Sequence, residues 1–253
     1  MVGHFIHGDG PVRAIVLHGW LGDWSVFAPM LPALDPTVFS LAFMDCRGYG
    51  ASKAAAGPYD MATVAADAER LADKLKWSQF AVVGHSMGGK AALRLAVNAP
   101  ERVTRILALN PVWAGPAPLD TDALALFRGA SGDIALRAAI LDNTTGARLP
   151  KAWSAGLASK SVQTSTHEAF AAYFESWALD DFAHQARNLQ QETLVVVGGQ
   201  DTGVTEAGVR ASWLAELPNA RLRVLPECGH YPMLEAPPLL AAVFERFLTS
   251  EVC

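Results

Sequence analysis

Long runs of one charge, paired cysteines and membrane-length apolar stretches are all missing from this chain, and each absence narrows what it does. Its 20 basic and 25 acidic residues leave a net charge of -5 dispersed over 253 positions, so neither a nucleic-acid footprint nor a polybasic membrane patch is expected. The three cysteines, Cys46, Cys228 and Cys253, are odd in number and form no CxxC pair, which suits reduced thiols rather than a disulfide framework. No apolar segment is long enough to span a bilayer, and the stretch from Met1 to Asp9 lacks a basic region followed by an apolar one. The expectation is a cytoplasmic protein whose partner is a small-molecule substrate. No phosphate-cradling G-x-x-x-x-G-K-[ST] or G-x-G-x-x-G motif sits between a strand and a helix, and His4 and His7 have no further ligands beside them. Neither a cofactor nor a metal is therefore expected.

Apolar residues are plentiful, at 51%, enough to support a sizeable core. Short β-branched runs alternate with helical patterns: strands are expected at 2–7, 13–18, 38–45, 80–84 and 103–109, with an amphipathic helix at 61–77 and an alanine-rich one at 86–98. Such alternation marks a mainly parallel sheet flanked by helices. From 111 to 190 the strand rhythm lapses into helix-like segments rich in large apolar groups. Strands resume at 193–199 and 220–225, with helices expected at 204–217 and 238–248. Residues 1–110 and 191–253 are thus expected to form one α/β core, and 111–190 an inserted helical cap.

The strongest local signal is Gly84-His85-Ser86-Met87-Gly88-Gly89, a G-x-S-x-G match directly after a strand and directly before a helix. A side chain on so sharp a turn projects from the backbone, beside the positive end of the following helix. Serine is a poor nucleophile until a base takes its proton, so a histidine oriented by an acid is required. Asp201 follows a buried strand in Gly198-Gly199-Gln200-Asp201. His230 follows the last strand in Cys228-Gly229-His230-Tyr231-Pro232. Both would lie at the carboxyl ends of strands, where ligand sites gather in open α/β sheets. Cys228 near His230 reads as a small, partly buried loop residue, since no helix N-terminus or basic neighbour is evident to activate its thiol.

With those residues in place, the chain resembles the α/β-hydrolases along almost its entire length, least so at the presumed cap. The resemblance implies a catalytic triad of Ser86, His230 and Asp201, with His230 as general base and then acid. It also implies an oxyanion hole: Leu17-His18-Gly19-Trp20 is similar to the HG-x loop of the family, so the backbone N–H groups of Trp20 and Met87 are the expected donors, with His18 holding the loop. Some relatives carry the acid after the strand that here ends at Leu109, but this chain has Asn110, which cannot ionise, leaving Asp201 as the acid. The run from Asp45 to Ser52 resembles an architectural D-x-R-G-x-G-x-S turn. Asp180 and Asp181 read as helix-capping or solvated acids.

Serine at the elbow, where dehalogenating and epoxide-opening relatives carry aspartate, points to an acyl-enzyme and hence to hydrolysis of a carboxylic ester or related acyl bond. Carbon–carbon bond hydrolases, cofactor-free perhydrolases and slow-turnover receptors of the same fold stay open as alternatives. The cap aromatics Trp113, Phe127, Trp153, Phe174 and Trp177 are the expected lining of an apolar substrate pocket.

Overall fold

The computed structural model describes residues 2–250. Seven strands form one sheet: β1 (His4–His7), β2 (Val12–Leu17), β3 (Phe39–Met44), β4 (Phe80–His85), β5 (Val103–Leu109), β6 (Glu192–Gly198) and β7 (Ala220–Leu225). Their spatial order is β1-β3-β2-β4-β5-β6-β7. All neighbours are parallel except β1, which runs antiparallel along β3 at the edge. All six residues of β3 and all six of β4 are buried, as strands covered by helices on both faces must be. The fold is therefore a mainly parallel sheet between helical layers, the architecture that the resemblance implies.

The chain leaves β2 toward β3 on one side and then returns to pair β4 on the other, so the order reverses between β2 and β4. Loops leaving the carboxyl ends of these two strands diverge to opposite faces and open a crevice, the usual ligand position in such sheets. The loop after β2 holds Trp20 and the loop after β4 holds Ser86.

Helix α1 (Met61–Lys74) starts where Asp60 accepts the Thr63 N–H at 2.7 Å. It buries Val64, Ala68 and Leu71, the stripe that helical spacing predicts. Helix α2 (Met87–Asn98) begins immediately after Ser86. Between β5 and β6 lie α3 (Thr121–Gly129), α4 (Ile134–Thr144), α5 (Lys151–Thr164), α6 (His167–Leu179) and the short α7 (Ala183–Ala186), with no strand among them. Lys90 of α2, fully buried, ties both ends of this helical segment to the core. Its ammonium donates to the carbonyls of Gly115 at 2.9 Å, Trp177 at 3.0 Å and Asp180 at 2.6 Å.

The helix expected over 204–217 runs without a break over 206–216 but widens in its middle. Helix α8 (Glu206–Val209) passes into a wide π-type turn, Arg210–Leu214, which carries the fully buried Trp213 edge-on to Trp113 at 5.6 Å. Helices α9 (Pro232–Glu235) and α10 (Pro237–Thr249) complete the fold. No helix among the described residues is long and apolar enough to cross a membrane.

Candidate active site

Ser86 has φ 54° and ψ -117°, a left-handed conformation that costs a non-glycine residue roughly 1–3 kcal/mol. The surrounding backbone enforces it: the Ser86 N–H donates to the Leu109 carbonyl at 2.9 Å, and its own carbonyl accepts from Gly89 at 2.9 Å and Val112 at 3.1 Å. Glycines make the turn feasible. A Cβ on Gly84 would lie 2.2 Å from the Gly88 carbonyl oxygen, and one on Gly19 only 2.7 Å from His85 Nδ1 and 3.2 Å from the Ser86 Cβ. The Gly19 contact brings the loop after β2 directly against the serine.

Asp201 and His230 are both buried, and His230 Nδ1–H donates to Asp201 Oδ2 at 2.6 Å. The other carboxylate oxygen, Oδ1, accepts the N–H groups of Gly203 at 2.8 Å and Val204 at 3.0 Å. Asn110 supplies a further donor that the sequence reading assigned no part: its Nδ2–H meets Asp201 Oδ2 at 2.7 Å and the Gly229 carbonyl at 3.3 Å. Asn110 itself has φ 42°, a conformation asparagine tolerates better than most residues. No hydrogen bond joins the Ser86 hydroxyl to the His230 ring among the described residues; the serine–imidazole contact of resting hydrolases often tightens only with substrate bound.

The link between the two loops runs through His85, the variable residue of the G-x-S-x-G run. Its Nε2–H donates to the His230 carbonyl at 2.8 Å, and the two rings lie 5.0 Å apart. Burial, and then the neighbouring His230, hold its pKa well below the ordinary histidine value, so the ring stays neutral with Nδ1 bare and unpartnered. Nothing in the motif distinguishes this role from that of a solvated spacer.

The Trp20 peptide is oriented by its neighbours. Tyr49 Oη–H donates to its carbonyl at 2.9 Å, and its indole Nε1–H donates to the Phe170 carbonyl at 2.7 Å. His18 braces the loop, donating through Nδ1 to the Gly19 carbonyl at 2.8 Å and accepting the Cys46 N–H on Nε2 at 3.1 Å. The backbone N–H groups of Trp20 and Met87 have no acceptor among the described residues. The Asp45 turn is structural: its carboxylate accepts Trp24 N–H at 2.9 Å and Ala51 N–H at 2.8 Å.

Of the five aromatic residues expected at a pocket, Phe127, Phe174 and Trp177 gather on Trp20, their rings 5.6 to 5.8 Å from it. Phe170 joins them and stacks on Trp20 at 4.0 Å; helical spacing alone did not separate it from the other apolar groups of the segment. Trp113 lies instead against Trp213, and Trp153 against Tyr231 at 5.8 Å. Cys228 is buried more deeply than expected, at 2% exposure, and burial pushes its thiol pKa up. Cys253 lies outside the described residues. His4 and His7 hydrogen-bond to the carbonyls of Val2 and Leu34, and no cluster of metal-ligating residues occurs among the described residues. Asp181 Oδ1 accepts the Ala183 N–H at 3.0 Å, just ahead of α7.

A family profile described as alpha/beta hydrolase fold matches residues 15–237. The pimeloyl-[acyl-carrier protein] methyl ester esterase of Nitrosomonas europaea is 30% identical over 94% of this chain and 96% of its own. A 2-hydroxymuconate semialdehyde hydrolase of Pseudomonas putida is 33% identical over 81% of this chain and 75% of its own. Among solved structures, an esterase of Exiguobacterium antarcticum superposes with a TM-score of 0.85 at 21% identity, covering 98% of this chain and 95% of that one. That likeness concerns the fold alone.

Proposed function

Because the chain belongs to the alpha/beta-hydrolase fold family, we propose that it is a serine hydrolase that cleaves a carboxylic ester, or a related acyl bond, of a small and largely apolar substrate. The observation that carries this reading is the 2.6 Å Asp201–His230 hydrogen bond at the carboxyl ends of β6 and β7, on the same edge of the sheet as the strained Ser86 after β4. Its relatives include one named as a methyl ester esterase and one named as a semialdehyde hydrolase.

In this mechanism Ser86 Oγ attacks the acyl carbon while its proton passes to Nε2 of His230. Asp201 holds the imidazole in the Nδ1–H tautomer and stabilises the imidazolium that results. The substrate carbonyl oxygen becomes an oxyanion between the N–H groups of Trp20 and Met87, each such donor being worth about 10²–10³ in rate in enzymes that use them. The tetrahedral adduct then expels the alcohol, which takes its proton from His230, and the acyl group remains on Ser86. Water repeats the sequence, releasing the acid and restoring the serine. The helical segment 111–190 acts as a cap whose Phe127, Phe174 and Trp177, with Phe170 and Trp20, provide the apolar surface for the acyl chain.

The test is turnover of p-nitrophenyl esters by wild type and Ser86→Ala, with mass mapping of the residue labelled by a fluorophosphonate. Sustained wild-type turnover, loss in the variant and a label on Ser86 are expected. An unimpaired variant, or a label elsewhere, refutes the proposal. A single burst followed by negligible turnover marks a receptor rather than an enzyme. Carbon–carbon bond hydrolysis by the same serine is the second reading, kept because one relative is named for a semialdehyde substrate; a parallel assay on a vinylogous diketone separates it from ester cleavage.

A further inference from the structure

Three consecutive backbone N–H groups, those of Gly229, His230 and Tyr231, are all engaged, and none by the strand that precedes them. Glu235, one helical turn further on, brackets the pair on either side of the histidine: its carboxylate accepts Gly229 N–H at 2.7 Å and Tyr231 N–H at 2.9 Å. The middle donor, His230 N–H, goes to the Thr144 carbonyl at the end of α4 at 3.1 Å. The Glu235 side chain is only 3% exposed, yet it has a cationic partner, Arg148, which comes from the connector between α4 and α5 and is itself 31% exposed. A buried carboxylate without such a partner is costly, so Arg148 sustains the clamp electrostatically.

The end of α4 and this connector also grip the loops of the acid and the histidine. Thr202 Oγ1–H donates to the Asn143 carbonyl at 2.8 Å, and Gly229 is so close to Thr145 that an added Cβ would sit 2.6 Å from the Thr145 Cα. Residues 143–148 of the helical segment thus touch the loops of both Asp201 and His230, while Phe127, Phe174 and Trp177 of that segment reach Trp20. Nothing in the proposed chemistry uses Glu235 or Arg148, but their geometry fixes the backbone from which the His230 ring projects.

We infer that Glu235 and Arg148 are positioning residues for His230, and that the Arg148–Glu235 ion pair couples placement of the helical segment to the competence of the base. The inference rests on the proposed role of His230 and deepens it. Such a device makes proton transfer depend on the segment being seated over the site. Catalysis is sensitive to this, because a displacement of about 1 Å in a reacting group costs on the order of 10²-fold in rate.

The experiment compares kcat, KM and the rate constant for phosphonylation by a small fluorophosphonate in wild type, Arg148→Ala, Arg148→Lys and Glu235→Gln, far below each melting temperature. Arg128→Ala serves as the control, since Arg128 pairs with Glu175 on the exposed face of the same helical segment at 2.7 Å. Arg148→Ala is expected to lower kcat and the phosphonylation rate in parallel by roughly 5- to 30-fold with KM changed less than twofold. Arg148→Lys is expected to recover most of that loss, Glu235→Gln to lose at least as much as Arg148→Ala, and the control to match wild type. A kcat in Arg148→Ala within twofold of wild type overturns the inference, as does a loss that falls on KM alone or appears equally in the control. Arg148 is partly exposed, so its variants decide the matter even if Glu235→Gln does not fold. Activity that survives in Ser86→Ala would instead remove the underlying catalytic reading.

Discussion

Asn110→Asp turns the hydrogen bond behind the acid into a titratable contact whose energy follows from the structure. The Asn110 amide nitrogen is 2.7 Å from Asp201 Oδ2, and both residues are buried. When the introduced carboxyl is protonated it donates to Asp201 Oδ2 much as the amide does. When it ionises, two like charges face each other at that separation, with a repulsion of about 6 kcal/mol at an effective dielectric constant near 20. Divided by 1.36 kcal/mol per pH unit, this raises the introduced group by roughly four units above an ordinary aspartate. The sign follows from linkage: the folded variant holds a proton that the unfolded chain has released. Relative stability therefore falls as pH rises from about 4, the unfolded value, to about 8, by roughly 1.4 kcal/mol per unit. Urea denaturation of wild type and variant at pH 4.5, 6 and 7.5 reads this directly. A stability difference that stays constant across those three pH values refutes the contact between Asn110 and the Asp201 carboxylate.

Lys90→Met leaves the carbonyls of Gly115, Trp177 and Asp180 without their shared donor, and a loss of about 2–4 kcal/mol in urea denaturation is expected. A change under 0.5 kcal/mol would mean that Lys90 does not hold the two ends of the helical segment. Ser86→Gly relieves the left-handed backbone at the elbow and should raise stability by about 1 kcal/mol while abolishing the proposed hydrolysis; a lowered melting temperature would contradict stored strain at that residue. Phe174→Ala and Trp177→Ala should change the ratio of rates on long and short p-nitrophenyl esters, whereas Trp113→Ala and Trp153→Ala, whose rings face Trp213 and Tyr231, should lower stability and leave that ratio unchanged. An unchanged ratio in all four variants would remove the aromatic cluster from substrate binding.

Some of this architecture was legible because its signals are local. The buried runs of β3 and β4, the stripe of α1 and the strand-to-helix turn around Ser86 each depend on residues within a few positions of one another. Boundaries shifted by up to three residues, the largest where the helix expected over 61–77 ends at Lys74. The helix expected after Asp201 is present over 206–216, but nothing in its spacing foretold the π-type turn at Arg210–Leu214 that carries the buried Trp213. The five pocket candidates shared one compositional signal and separated in space, because aromatic character records that a side chain wants burial and not which neighbour provides it.

By itself the sequence determined the strand-and-helix alternation, the elbow that presents Ser86, and the loops that carry Asp201 and His230, since period, glycine placement and turn chemistry act over short chain distances. Only the tertiary structure decided the partners: Asn110 on Asp201 across 91 positions, His85 on the His230 carbonyl across 145, and Trp20 on Phe170 across 150. Those contacts follow from the order of strands in the sheet and the packing of helices over its edge, which depend on the fold of the whole chain.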